Sequence, residues 1–87
     1  IRKLRGLKML GRGIPRTGYE VVNQSGKVVG KITSGTMSPT LGYGIGMAYI
    51  NSEFSNKGNK LSVRIRNKDI EAEVVMFPFL NKGNKII

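Results

Sequence analysis

The chain has 87 residues, 39% of them hydrophobic, and carries 15 Lys+Arg against 5 Asp+Glu for a formal net charge of +10. That length supports one domain with a thin core and excludes a two-domain enzyme. Histidine and cysteine are both absent, which removes disulfides, zinc fingers, iron–sulfur ligation, Ser–His–Asp triads and Cys–His nucleophiles.

No apolar run approaches the roughly 20 residues of a membrane helix, and no secretory signal is visible. Twelve glycines punctuate short segments. No stretch sustains the i, i+3, i+4, i+7 apolar spacing of a helix, so the short segments read as strands. The first covers residues 5–10 and is ended by Gly11, Gly13 and Pro15. The second covers residues 19–22. A turn follows at residues 23–26, where Gly26 suits a positive φ. The third strand, residues 27–33, closes a hairpin with the second. Residues 33–39 form a small polar loop. The fourth strand, residues 42–50, is thinned by Gly42, Gly44 and Gly46, and glycines inside a strand mark close backbone approach or bending.

Residues 51–55 suit one short helical turn, capped by Asn51 or Ser52, with Phe54 directed at the core and Gly58 ending the segment. The last hairpin has the clearest pattern. Leu61, Val63 and Ile65 alternate with Ser62, Arg64 and Arg66, and Ile70, Ala72 and Val74 alternate with Asp69, Glu71 and Glu73. A two-residue turn at Asn67 and Lys68 sets Arg66 opposite Asp69, Arg64 opposite Glu71 and Leu61 opposite Val74. A dry face is thereby separated from a charged one. Six short strands with glycine-rich turns argue a small antiparallel barrel or a two-sheet sandwich. The run Asn-Lys-Gly-Asn-Lys at 56–60 recurs at 81–85. Its second copy lies in a polar tail, residues 81–87, expected to fray.

Several constellations bear on chemistry. Residues 11–16 (GRGIPR) lack the third glycine and long helix of a dinucleotide fingerprint, and read as a tight inter-strand connection. Arg16, set beside a proline, is either a guanidinium aimed at a carboxylate or a surface or interdomain ion-pair partner. Arg2, Lys3, Arg5, Lys8, Arg12 and Arg16 form a basic stretch with no acid before Glu20. Aromatics are not interleaved with it as a single-strand platform requires, and no recognition helix exists. Asp69, Glu71 and Glu73 are better explained by opposed arginines than by a cation. Ser34 and Ser38 have no histidine to activate them, so the hydroxyls of residues 33–40 read as bonded to their own backbone or docked on another domain.

The runs GRGIPR at 11–16, GYEV at 18–21, GKITSGTMSPTL at 30–41, IGMAYI at 45–50 and VVMFPF at 74–79 stand in an order that resembles the C-terminal barrel domain of aminomethyltransferase, the T-protein of the glycine cleavage system. The resemblance covers residues 6–79, and its specific part is the Thr-Ser-Gly-x-x-Ser-Pro run. It implies an all-β fold, a small antiparallel six-stranded barrel of Greek-key or jelly-roll type with one short helical turn, over residues 1–80. The family's enzyme has three domains around a central tetrahydrofolate cavity. It takes an aminomethyl group from the lipoyl arm of the H-protein carrier, releases ammonia and forms methylenetetrahydrofolate.

The family's catalytic aspartate belongs to an earlier domain. The chain is therefore expected to be a fragment with no catalytic residue of its own and no activity alone. Opening on Ile1 rather than methionine accords with that expectation. The family's Pro-Arg position matches Arg16, which implies support of the folate site or of the neighbouring domain. Thr33, Ser34, Gly35, Ser38 and Pro39 are implied to lie in a loop at the interface with the rest of the enzyme. The basic surplus would meet the glutamate tail of folate or an acidic carrier. No membrane partner is implied, and the location follows the source: cytoplasm in a bacterium, mitochondrial matrix in a eukaryote. Two alternatives stand beside this. One is a free-standing basic barrel that binds RNA or DNA. The other is the same barrel from a folate-binding paralogue such as dimethylglycine dehydrogenase.

Overall fold

A computed structural model describes residues 1–38 and 42–75. Six strands, β1 (Arg2–Met9), β2 (Glu20–Val22), β3 (Val28–Met37), β4 (Gly44–Asn51), β5 (Lys60–Ile65) and β6 (Lys68–Val75), close into a barrel in the order β1-β4-β3-β2-β5-β6. Every pairing is antiparallel. The consecutive strands β2, β3 and β4 are joined by β1 beside β4, which is the order of a Greek key. The all-β barrel expected from the sequence is the fold observed, with one 3-10 turn at Ser52–Phe54.

Alternation builds the core. Leu7, Met9, Val21, Ala48, Ile50, Leu61, Val63, Ala72 and Val74 are buried from neighbouring strands, together with Val29 and Ile32 of β3. Val29 and Ile32 are three residues apart, so a strict period of two cannot bury both. The register shift between Val21 and Val22 breaks that period, as a bulge does by adding a residue to one strand. A second shift lies between Ile32 and Ser34.

The strand order makes two connections cross the barrel. β1 and β2 lie on opposite sides of the ring, as do β4 and β5. The link after β4 passes over one end. There Phe54 packs against the core, the Arg5 guanidinium donates Nε to the Ser55 carbonyl at 3.1 Å, and the Asn59 amide donates to the Phe54 carbonyl at 2.9 Å. Asn51 makes no side-chain capping bond to the 3-10 turn. The link after β1, residues 11–17, passes over the other end as a strap.

Two sequence expectations are corrected. Residues 33–37 are not loop but the outer half of β3, with Ser34 opposite Met47, Gly35 opposite Gly46 and Met37 opposite Gly44. Their small polar side chains resemble a loop because most of them face solvent, while the β4 ladder supplies the backbone partners. The β5–β6 turn is Arg66 and Asn67, not Asn67 and Lys68. Arg64 therefore faces Asp69, Ser62 faces Glu71 and Leu61 faces Ala72. The two central residues hold φ of 50° and 67°, the left-handed pair that a type I′ turn needs. Placing Asn67 second relieves Lys68 of positive φ, which asparagine tolerates better. The shift moves each partner by two residues, so the buried face is kept.

Candidate functional site

The strap draws its shape from glycines above and below it. A Cβ added at Gly11 would sit 2.8 Å from Ile70 Cγ2, and one at Gly13 would sit 2.8 Å from Ile65 Cδ1. The strap therefore leaves β1 pressed against the β5–β6 hairpin. It then reaches the β3–β4 hairpin, where Pro15 is fully buried. A Cβ at Gly46 would sit 2.9 Å from Pro15 Cγ, and one at Gly44 would sit 2.5 Å from the Gly13 carbonyl oxygen. At Gly35 a Cβ would overlap the Pro15 carbonyl itself. The Thr17 hydroxyl donates to the Thr33 carbonyl at 3.0 Å. The Gly18 amide donates to the Ile32 carbonyl at 2.9 Å. Gly44 and Gly46 mark close approach as their place in the fourth strand suggests, but Gly42 lies before β4 with nothing within 4 Å of an added Cβ, and nothing local points to Pro15 as the neighbour.

This geometry sets Arg16 between two contacts on β3, Pro15 against Gly35 and Thr17 against Thr33, residues well separated in sequence. Arg16 is exposed, and among the described residues its guanidinium has no hydrogen bond or ion pair. Its carbonyl accepts the Tyr19 amide at 3.1 Å. Thr33, Ser34 and Gly35 are exposed along β3, and the Thr33 hydroxyl donates to the Met47 carbonyl at 3.1 Å. Ser38 differs, being fully buried. Its amide donates to the Tyr43 carbonyl at 3.0 Å, and its carbonyl accepts the Gly42 amide at 2.8 Å. Pro39 and the tail at 81–87 lie outside the described residues.

Charge divides by strand. β1, β3 and β4 hold no acidic residue and carry Arg2, Lys3, Arg5, Lys8 and Lys31. The Lys8 ammonium stands 5.0 Å from the centroid of the Tyr43 ring, within cation–π range. Asp69, Glu71 and Glu73 all lie on β6. Asp69 accepts Arg64 Nε at 2.9 Å. The hydrogen bond from Arg64 holds the Asp69 carboxyl below its usual range, and the same bond raises the guanidinium further. Glu73 faces Lys60 on one side and Lys8 on the other. Among the described residues no three His, Cys, Asp or Glu converge as a cation site, and no helix is long and apolar enough to cross a membrane.

A six-stranded Greek-key barrel with a basic wall and a proline strap defines a compact all-β domain. The model of the glycine cleavage T-protein C-terminal barrel domain matches residues 2–81, and the chain belongs to that family. It is 54% identical over 81 residues to the aminomethyltransferase of Bacillus subtilis, covering 93% of this chain and 22% of the relative. It is 50% identical over 84 residues to the aminomethyltransferase of Nostoc sp., covering 97% of this chain and again 22% of the relative. The crystal structure of glycine cleavage system aminomethyltransferase T from Bartonella henselae superposes with a TM-score of 0.82 at 26% identity. That match covers 99% of this chain and 23% of that one. The chain thus spans 22% of the length of these curated relatives.

Proposed function

We propose that the chain serves as the C-terminal domain of a tetrahydrofolate-dependent aminomethyltransferase of the glycine cleavage system. In this reading it helps to wall the folate cavity, and the reacting groups come from the rest of the enzyme. The family match over residues 2–81 carries the proposal. The residues themselves support it: with neither His nor Cys, the chain offers no imidazole base and no thiol nucleophile.

Arg16 is the residue we assign to the cavity. An exposed guanidinium on a held backbone, with no intramolecular carboxylate among the described residues, suits a charge-assisted bond to a carboxylate of folate or of a neighbouring domain. Its neighbours Pro15 and Thr17 meet Gly35 and Thr33, and we place the remainder of the enzyme against this end, over the exposed Thr33, Ser34 and Gly35. The basic wall of β1, β4 and β3 suits an acidic partner such as the lipoylated carrier protein, whose encounter rate such a field raises. On this reading the isolated domain is inactive. Its place is the cytoplasm of a bacterium or the mitochondrial matrix of a eukaryote.

The test uses the intact enzyme supplied with aminomethylated carrier. Ammonia release is followed with and without tetrahydrofolate. The proposal expects folate-dependent release, and Arg16→Ala is expected to raise the folate KM by about 10-fold, the size of one lost charge-assisted bond. Release that ignores folate would assign the barrel to different chemistry.

A further inference from the structure

We infer that Gly35, Gly44 and Gly46 form a seat for Pro15, and that this seat aims Arg16 at its anionic partner. Pro15 and Gly35 are then positioning residues. The inference rests on the reading of Arg16 as a carboxylate ligand.

Arg16 is held on both sides of its own backbone. Before it, Pro15 is wedged where the glycines leave no side chain, its carbonyl over Gly35 and its ring over Gly46. After it, the Thr17 hydroxyl is bonded to Thr33 and the Gly18 amide to Ile32. The Arg16 carbonyl itself accepts the Tyr19 amide. Arg12 provides the contrast. It stands in the same strap and is equally exposed, yet it lies between two glycines, and its anchor is the Glu71 carbonyl accepting the amides of Leu10 and Gly11. A fixed backbone reduces the freedom a guanidinium must give up on binding, which is how preorganisation raises affinity. It also sets the direction from which a planar fork can meet a carboxylate. An L-residue at position 35 would collide with the Pro15 carbonyl. The strap would have to lift there, carrying Arg16 with it, while the barrel core lies elsewhere.

The experiment uses the full-length enzyme with Gly35→Ala, Pro15→Gly and Arg16→Ala, alone and combined. Pro15→Gly adds no atoms, so it reports on the seat even if Gly35→Ala fails to fold. One readout is steady-state kinetics in folate, and the other is the rate of trypsin cleavage after Arg16 in the native enzyme. We expect each seat variant to raise the folate KM by about 10-fold with kcat retained, as when a ground-state contact is lost. Neither is expected to add to the effect of Arg16→Ala, the signature of coupled residues. Cleavage after Arg16 is expected to quicken in both. If Arg16→Ala raises KM but the seat variants leave it unchanged, or multiply it further, the seat does not act through Arg16 and the inference falls. If Arg16→Ala leaves KM unchanged, the folate reading of Arg16 falls with the aiming role built on it. Unaltered cleavage after Arg16 in both seat variants overturns the seat whatever the kinetics.

Discussion

The two ends of the barrel are closed by different physics. At one end the chain crosses as a 3-10 turn that plugs the opening with Phe54 and is tied down by hydrogen bonds from Arg5 and Asn59 and by the Ser52 amide donating to the Ile1 carbonyl. At the other it crosses as a strap whose proline fits a hollow left by glycines. The first closure depends on donors and acceptors, each of which tolerates small displacements. The second has hydrogen bonds before and after Pro15, but at Pro15 itself it depends on the absence of atoms and tolerates very little. An end held by bonds loses stability piecemeal, whereas an end held by shape fails when a single methyl is added.

Four measurements break or sharpen this contrast. Gly44→Val should have the largest effect, about 3 kcal/mol of unfolding free energy, because the added carbons meet the Gly13 backbone rather than a yielding side chain; urea denaturation reads it directly. At the opposite end Phe54→Ala should cost about 2 kcal/mol, less than a fully buried phenylalanine, because the ring is only half-buried. A larger loss for Phe54→Ala than for Gly44→Val would reverse the contrast. Beside the strap, the paired change Arg66→Asn and Asn67→Gly should stabilise by about 1 kcal/mol, since both positions need left-handed backbone; a raised urea midpoint checks it.

The smallest effect is the pH dependence of the Arg64–Asp69 pair. The Asp69 carboxyl is held below its ordinary value by Arg64. Its contribution is therefore complete above the unfolded carboxylate value of about 4, and is lost as the pH falls through the lower folded value. Denaturation midpoints followed downward from pH 5 should fall less steeply in Asp69→Asn than in the parent. Identical slopes would show that the ion pair contributes nothing.

Legibility follows the range of the interactions. The β5–β6 hairpin is visible in the sequence because Leu61, Val63, Ala72 and Val74 alternate with polar residues over a short loop. Its register is not visible there, because parity survives a two-residue slip, and only the backbone of Arg66 and Asn67 distinguishes the two alignments. Phe54 announced itself as an apolar residue in a polar turn. The outer half of β3 did not, since Thr33, Ser34, Gly35 and Thr36 look like loop until Met47, Gly46 and Ile45 are found across from them. Arg16 stands out beside its proline, but its placement between the contacts to Thr33 and Gly35 depends on a strap that crosses the whole barrel. No local pattern encodes that crossing. It follows from strand order, which the chain settles only when the ring closes.

The ring has one more consequence. β1 starts and β6 finishes at the end closed by Phe54, on adjacent strands, with Val75 paired to Gly6. The start of β1 and the finish of β6 thus share one rim, while the strap occupies the far rim. Such a barrel should accept circular permutation, with β6 spliced to β1 and new termini opened at Asn56 and Lys57, an exposed pair clear of the strands.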